Sequence, residues 1–191
     1  TPLTSISGYA EIIESGIAKQ EDVPVFAGKI RTEARRLVAL VNDILELSKL
    51  DEKQGLGTKE QIALWPVLNN LVDGFQTLAQ EKEIKLSLQG CDATVMGYPI
   101  LLRELFHNLI DNAIKYTPAG GSVVVQLTQD QNRVCCTVKD TGIGIPKEHQ
   151  KHVFERFYRV DKSHSRQTGG TGLGLAIVKH IAQVHQAQVK L

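Results

Sequence analysis

The chain has 191 residues, of which 42% are hydrophobic and 23% are charged, a composition typical of a soluble globular protein with one large domain or two small ones. Its 22 Lys and Arg residues balance 21 Asp and Glu residues, and the net charge of +1 argues against a nucleic-acid partner or a polybasic membrane contact. The sequence has neither a membrane-spanning apolar run nor a signal-peptide pattern, and its three cysteines show no disulfide framework or CxxC spacing, which fits a reducing compartment.

The first fifty residues predict two amphipathic helices separated by a short polar turn. Apolar residues recur at helical spacing from Leu3 to Ile13, and Ser15-Gly16 then interrupts the pattern. The second helix has an apolar face with charged residues on the outside; that face comprises Phe26, Ile30, Leu37, Val41, Ile44 and Leu47. Because a hairpin of two such helices buries only one face of each, the sequence predicts a homodimeric four-helix bundle.

A polar segment with two glycines, residues 52–59, predicts a linker between this hairpin and a second domain. We therefore expect domains at residues 1–57 and 58–191. In the second domain the patterns predict helices at 65–79, 100–116 and 171–184, strands at 84–88, 122–128, 134–139 and from 189 to the end, and a turn at 129–132. Helices and strands segregated in this way favour an α+β sandwich with a sheet covered on one face.

The predicted helix at 100–116 has an unusual polar side. At about 100° per residue, one side is apolar, and the other consists of Glu104, Asn108, Asn112 and Lys115. Asn is a poor helix former, so two of them on one stripe are a costly choice for a face that is merely solvated. Carboxamide oxygens with a carboxylate nearby suit Mg²⁺, which takes few protein ligands. Taken alone, the stripe fits a magnesium site and a solvated face equally well.

Two glycine clusters follow. The first, from Asp140 to Pro146, places an acid at the end of a strand and two glycines in the turn after it, and such a carboxylate can accept a hydrogen bond from the amino group of adenine. The second, residues 169–178, leads directly into a helix, where glycine amides and the helix N-terminus form an anion site suited to phosphate. Either cluster alone fits a simple turn. The spacings exclude Walker, Rossmann and eukaryotic kinase patterns.

Between the glycine clusters, residues 145–168 predict a basic lid. The segment has six Lys or Arg residues and three acidic residues, a net charge of +3 that suits a polyphosphate. Phe154, Phe157 and Tyr158 are candidates to anchor it. Loops of this length are usually functional or disordered, and the alternative is a solvated loop with its aromatic residues in the core.

Together these segments resemble bacterial two-component sensor histidine kinases over essentially the whole chain. Residues 104–117 resemble the N box, 140–146 the G1 box, 154–159 the F box and 170–175 the G2 box, in the family's order. The opening Thr1-Pro2-Leu3-Thr4 resembles the end of the H box, HE[LF][RK]TPL, in the hairpin domain called HisKA. The resemblance implies a dimeric helical hairpin followed by a two-layer α+β sandwich of the GHKL ATPase type, called HATPase_c.

The resemblance also implies a site for ATP and Mg²⁺. Asn108 would hold Mg²⁺, Lys115 would lie along the phosphates, and Asp140 would bind the adenine amine. The implied nucleotide-binding residues are Asn108, Asn112, Lys115, Tyr116, Asp140, Gly142, Gly144, Ile145, Phe157, Gly170, Thr171, Gly172, Leu173, Gly174 and Leu175. Glu104 matches the general base of the family's ATP-hydrolysing relatives, and in a histidine kinase we expect it to orient the metal shell.

The implied reaction transfers the γ-phosphoryl group of ATP to a histidine and then to an aspartate of a response-regulator receiver domain. That histidine would lie four residues before Thr1, and Thr1 occupies the position linked to dephosphorylation of the regulator. His185-Gln186-Ala187 stands where the family often has His-Gly-Gly. We expect a cytoplasmic region of a membrane-anchored protein. The alternatives are an ATP-hydrolysing enzyme and a non-catalytic nucleotide-binding module of the same superfamily.

Overall fold

A computed structural model of the protein describes residues 2–51, 57–131, 133–160 and 170–191. The elements are α1 (Pro2–Glu14), α2 (Val23–Asp51), β1 (Glu60–Ala63), α3 (Leu64–Glu81), β2 (Lys85–Gly90), β3 (Thr94–Gly97), α4 (Pro99–Tyr116), β4 (Ser122–Asp130), β5 (Arg133–Asp140) and α5 (Gly174–Val184). Within those ranges, no helix is both long and apolar enough to cross a lipid bilayer.

The two predicted N-terminal helices are confirmed as α1 and α2. Near the turn that joins them, the rings of Tyr9 and Phe26 lie 5.8 Å apart, and the Lys29 ammonium lies 5.3 Å and 5.5 Å from their centroids. Farther along α2, Val38 and Val41 remain 60% and 47% exposed. In a single chain the hairpin therefore leaves part of its apolar face uncovered.

The part of the chain from residue 60 onward confirms the predicted α+β sandwich. A three-stranded sheet has the order β2-β4-β5, with β2 parallel and β5 antiparallel to β4. Val123, Val125 and Leu127 alternate along β4 and are fully buried, so one face of the sheet forms the core. Helices α4 and α5 contribute Ile110, Ile114, Ile177 and Ile181 to the same core, each with no more than 1% exposure.

Two short strands were not predicted, and one predicted strand is wrong. β1 and β3 form a separate antiparallel ribbon that pairs Glu60 with Gly97 and Ala63 with Thr94. Residues 189–191 form no strand, because no described strand pairs with them and an isolated strand leaves its hydrogen-bonding groups unpaired. The last helix begins at Gly174 instead of residue 171, and the predicted linker lies mostly at 52–56, outside the described residues.

His185 joins the end of α5 to the start of α4. Its Nε2 accepts a hydrogen bond from the Tyr98 backbone N–H at 3.0 Å, and its Nδ1 lies 2.8 Å from the Ile181 carbonyl oxygen. Because the backbone N–H can only donate, Nδ1 must carry the proton of a neutral ring. A β-carbon at Gly97 would lie 2.8 Å from this ring, so glycine permits the contact. The histidine thus fixes the C-terminal end of α5 on the β3–α4 junction.

We predict that Gln186→Gly stabilises the protein. Gln186 follows α5 with a φ of +56°, a left-handed conformation that glycine adopts without strain. The gain should be about 0.5–1 kcal/mol after the greater flexibility of glycine in the unfolded chain is included. Urea unfolding measures it, with Gln183→Gly inside α5 as a control that should lose about 0.5–1 kcal/mol. A loss of stability in both variants would contradict the prediction.

Candidate functional site

The polar stripe of α4 is held in a defined orientation. The Asn108 Nδ2 group donates to Glu104 Oε1 at 2.9 Å and to the Glu104 carbonyl oxygen at 3.0 Å. Because Nδ2 is engaged by the preceding turn, Oδ1 of the same carboxamide is presented on the side facing the start of α5. Glu104 therefore positions a carboxamide oxygen, a ligand type that Mg²⁺ accepts.

The start of α5 approaches this stripe very closely. A β-carbon at Gly174 would lie 2.8 Å from Asn108 Oδ1 and 3.6 Å from Asn112 Nδ2. Side-chain atoms do not normally come as close as the first of these distances, so position 174 needs glycine if the Asn108 carboxamide is to keep its place. The N box and the G2 box, which are far apart in the sequence, thus meet at one point.

Lys115 is paired within its own helix. Its Nζ lies 2.5 Å from Asp111 Oδ2, one helical turn earlier, and both side chains are partly exposed. The ammonium lies at the C-terminal end of the stripe, next to Tyr116. To bind a phosphate group, the Lys115 ammonium must either keep Asp111 as a second partner or break that ion pair.

The G1 box is fastened to the end of α4. The Ile143 N–H donates to the Tyr116 carbonyl oxygen at 3.2 Å, and a β-carbon at Gly142 would lie 2.6 Å from that oxygen. Asp140 Oδ1 accepts the Gly142 N–H at 2.8 Å, which engages one carboxylate oxygen in the turn. The other oxygen of Asp140 can accept a hydrogen bond that a ligand amine donates. Gly144 has a φ of +68°, so glycine serves the turn here through its backbone conformation.

The F box contacts the G2 box through backbone groups. The Phe157 N–H donates to the Gly172 carbonyl oxygen at 2.9 Å, and both residues have left-handed conformations, with φ of +65° and +77°. A β-carbon at Gly172 would lie 3.0 Å from the Phe157 backbone. Phe157 is 57% exposed, so it does not anchor the lid in the way the sequence predicted; the buried residue of the described part of the lid is Val153.

The N-terminal hairpin also reaches this site. The Thr171 hydroxyl in the G2 box donates to Asp43 Oδ2 of α2 at 2.5 Å and accepts the Leu173 N–H at 3.3 Å. Burial raises the pKa of Asp43 above its usual 3.8, and the Thr171 hydrogen bond opposes this shift while the nearby Glu104 carboxylate adds to it. A partly buried carboxylate of the hairpin is therefore held against a glycine turn of the second domain.

Two family profiles match separate parts of the chain. Residues 1–53 match the His Kinase A (phospho-acceptor) domain, and residues 97–191 match the family described as histidine kinase-, DNA gyrase B- and HSP90-like ATPases. The chain is 38% identical over 193 residues to the sensor histidine kinase WalK of Bacillus subtilis (strain 168), a match that covers 99% of this chain and 32% of WalK. The chain spans about a third of the length of this curated relative.

Solved structures give the same result. The mycobacterial sensor histidine kinase MprB is 30% identical, with a TM-score of 0.58, over 68% of this chain and 81% of the MprB chain. This chain belongs to the sensor histidine kinases. Full-length ShkA in complex with AMPPNP is 26% identical with a TM-score of 0.67, over 95% of this chain and 38% of that one.

Most of the histidine kinase residues expected from the sequence lie around one site. The contacts above bring together segments from α4, the G1 box, the F box and the G2 box. Gly170 lies beside the Tyr116 hydroxyl and the Arg159 guanidinium, at 3.9 Å and 3.8 Å from its would-be β-carbon. The Leu173 side chain is fully buried in the core, so only its backbone faces the turn.

Two of the expected residues are less well connected to this site. Ile145 is half-buried, and its carbonyl oxygen accepts a hydrogen bond from the Gln150 side chain. Leu175 is half-buried in the first turn of α5. Thr1 lies outside the described residues, so its expected role stays a prediction.

Sequence reasoning missed two acidic residues of the site. Asp111 follows the usual i,i+4 rule for a pair with Lys115, and that spacing could have revealed it. Asp43 lies on α2 between Leu40 and Leu47, which pack against the core, and it contacts a residue far along the chain, so no local pattern identifies it.

We predict that Asp43→Asn raises the stability of this histidine kinase region at neutral pH. The variant keeps an acceptor for Thr171 but removes a partly buried charge whose folded-state pKa is raised. At neutral pH the wild type carries the full cost of that charge. As the pH falls through the raised pKa toward 3.8, its folded state takes up the proton first and becomes more stable relative to the variant.

The stability gain of Asp43→Asn should therefore be largest at pH 7 and shrink toward pH 4, a range set by the ordinary aspartate pKa of about 4. Thermal unfolding at both pH values measures it. The exposed acid Glu21, changed to Gln, is the control and should show little difference at either pH. An equal gain for Asp43→Asn at both pH values would show that its charge is not the cause.

Proposed function

We propose that this region is the kinase core of a two-component sensor, which binds Mg-ATP and transfers the γ-phosphoryl group to a histidine and then to an aspartate of a response regulator. The observation that carries the proposal is the meeting of the N-box carboxamides with the G2-box glycine turn at Gly174. Carboxamide oxygens, glycine amides and a helix N-terminus at one point are the groups that a magnesium triphosphate requires.

The carboxamide oxygen of Asn108 fits a magnesium ion that is bound together with its nucleotide. Asn108 Oδ1 is oriented by the hydrogen bond from its own Nδ2 to Glu104 and is presented toward the G2 box. Among the described residues, no group of three or more His, Cys, Asp or Glu side chains could hold a metal ion. A single carboxamide fits Mg²⁺, which keeps most of its water and phosphate ligands. When bound, the ion would neutralise negative charge on the phosphates.

The G1 box fits the adenine. One oxygen of Asp140 is engaged by Gly142 in the turn, and the second can accept a hydrogen bond from the adenine amino group. Guanine has an acceptor at the matching position, so this carboxylate favours adenine. Tyr116 lies beside both the G1 box and Gly170, where it would flank the nucleotide.

The phosphates would contact the G2 box and the end of α4. The left-handed turn at Gly172 and the glycine at 174 leave room for close backbone approach, and α5 begins at this point. Lys115 would exchange Asp111 for a phosphate oxygen. Since Glu104 is engaged by Asn108, its role is to position that carboxamide and the metal shell, while the imidazole of the phosphoacceptor supplies the nucleophile.

We also propose that residues 1–57 form a homodimer and that residues 58–191 are the ATP-binding domain. The exposed apolar residues Val38, Val41 and Leu45 recur at helical spacing along α2, as expected of a face that a second hairpin covers. A receiver domain of a response regulator would be the phosphoryl acceptor. The region would act in the cytoplasm as part of a longer, membrane-anchored protein.

The proposal is tested with γ-labelled ATP and Mg²⁺ on a version of the chain extended upstream through a complete H box. We expect acid-labile, base-stable label on the protein, which a receiver domain then removes. The chain from Thr1 onward should bind ATP without becoming labelled. Release of free phosphate with no protein label would support an ATP-hydrolysing enzyme instead.

Asn108→Ala separates a kinase from a non-catalytic nucleotide-binding module. Because Asn108 is the proposed magnesium ligand, the variant should lose Mg-dependent labelling by at least about a hundredfold, an effect expected when a charge-stabilising group is removed. A chain that binds nucleotide without catalysis would show weaker binding and no labelling before or after the change.

We predict that Gly174→Ala weakens Mg-ATP binding by about tenfold or more, because its β-carbon would lie 2.8 Å from Asn108 Oδ1 and displace that carboxamide. Gly74→Ala in α3 is the matched control. A β-carbon there meets nothing within 4 Å, and the change should add about 0.5–1 kcal/mol of stability without altering affinity. Titration calorimetry measures both variants, and equal affinities for Gly174→Ala and the wild type would contradict the prediction.

A further inference from the structure

The contact between the hairpin and the G2 box joins two distant parts of the chain through one short hydrogen bond. Asp43 belongs to α2, and Thr171 lies immediately before the glycine turn that leads into α5. The carboxylate accepts the Thr171 hydroxyl at 2.5 Å, and the same hydroxyl oxygen accepts the Leu173 N–H at 3.3 Å. The position of α2 is thereby linked to the conformation of the turn.

This carboxylate lies in an electrostatically crowded place. Its charge interacts unfavourably with Glu104 and Asp111 and favourably with Lys115, all of which lie on the polar side of α4. Three carboxylates therefore share the field of one ammonium, and that ammonium is already paired with Asp111. A ligand that brings several further negative charges to the G2 box increases the repulsion on Asp43 most directly, because Asp43 is held on the G2 box itself.

A nucleoside triphosphate and Asp43 also compete for the same cationic and donor groups. The turn at Thr171 and Gly172 precedes the N-terminus of α5, where phosphate oxygens would be bound, and Lys115 would be recruited by the phosphates. Once Lys115 faces phosphate, Asp43 loses its favourable charge partner while the repulsion from Glu104 remains. Bound phosphates would therefore disfavour the position that Asp43 holds on the G2 box.

We propose that Asp43 and Thr171 form a nucleotide-coupled latch: the carboxylate holds α2 on the G2 box, and a bound triphosphate breaks this bond and releases α2 from the G2 box. The proposal rests on the proposed function, since it requires that the triphosphate binds at the G2 box. By linkage, the latch opposes nucleotide binding to the same extent that nucleotide opposes the latch. The hairpin would then be held less firmly on the second domain when a triphosphate is bound.

The first test compares the affinity of Mg-AMPPNP for the wild-type chain and for Asp43→Ala, measured by titration calorimetry. Without the latch the affinity should increase about three- to tenfold, a coupling at the lower end of what linked sites show. Glu21→Ala is the control, because it removes one negative charge from an exposed position just before α2. Its effect should stay below about twofold, as expected for an exposed, largely screened charge. Adenosine, which has no phosphates, should bind Asp43→Ala and the wild type equally.

The second test is amide hydrogen exchange over residues 36–45 of α2. In the wild type, exchange in this segment should rise when Mg-AMPPNP is added, because α2 is released. In Asp43→Ala it should be high before nucleotide is added and should change little afterwards.

The outcomes are distinguishable. If the wild type binds Mg-AMPPNP and Asp43→Ala has the same or weaker affinity, the latch is wrong and the proposed function stands. A nucleotide-induced decrease of exchange in wild-type α2 also overturns the latch. If neither protein binds Mg-AMPPNP, both the proposed function and the latch fail.

Discussion

The close approach of α5 to α4 at Gly174 is the constraint on which the rest of the site depends. A side chain there would meet the Asn108 carboxamide, so the absence of one allows the G2 box to lie directly over the N box. The buried isoleucines of both helices continue the same interface into the core, and His185 fixes its far end on the β3–α4 junction. The two helices therefore act as one rigid support, and the G1 and F boxes are fastened to it by backbone hydrogen bonds.

The polar side chains of α4 in this site are arranged in local pairs. Asn108 is oriented by Glu104, and Lys115 is paired with Asp111, each within one turn of α4. Such i,i+4 contacts are individually weak, so they can be exchanged for a ligand at little cost. Asp43 differs because its partner belongs to another element and its carboxylate is partly buried. It is the group in the described site whose position depends on how the hairpin is placed.

The sequence predicted the elements whose patterns are long and regular. The apolar and polar sides of α4 and the alternation along β4 follow directly from side-chain periodicity, and both are confirmed. The ribbon of β1 and β3 was missed because four residues with mixed composition carry almost no period. The strand predicted at 189–191 is wrong although its residues suit a strand. Such residues form a strand only when another strand pairs with them.

The site residues that could be predicted are likewise those with an unusual local sequence pattern. The glycine boxes and the asparagine stripe were found because each needs unusual residue types within a short segment. Asp43 and the left-handed conformation of Phe157 were missed because tertiary contacts determine them: a threonine hydroxyl of the G2 box for the first, and the Gly172 backbone for the second. An aspartate on a helix and a phenylalanine in a loop have no local feature that reveals such contacts.

The parallel pairing of β2 with β4 has a consequence for how the site comes into existence. Lys85 pairs with Ser122, and the chain between them includes β3 and the whole of α4. The hairpin of α1 and α2 closes through neighbouring segments, whereas this pairing must first close a long loop, and contacts of that kind form slowly. Because α4 belongs to the crossover, the helix that carries the polar stripe is put in place by the same event that assembles the sheet. We therefore expect the nucleotide site to form late and cooperatively, after the local contacts between α1 and α2.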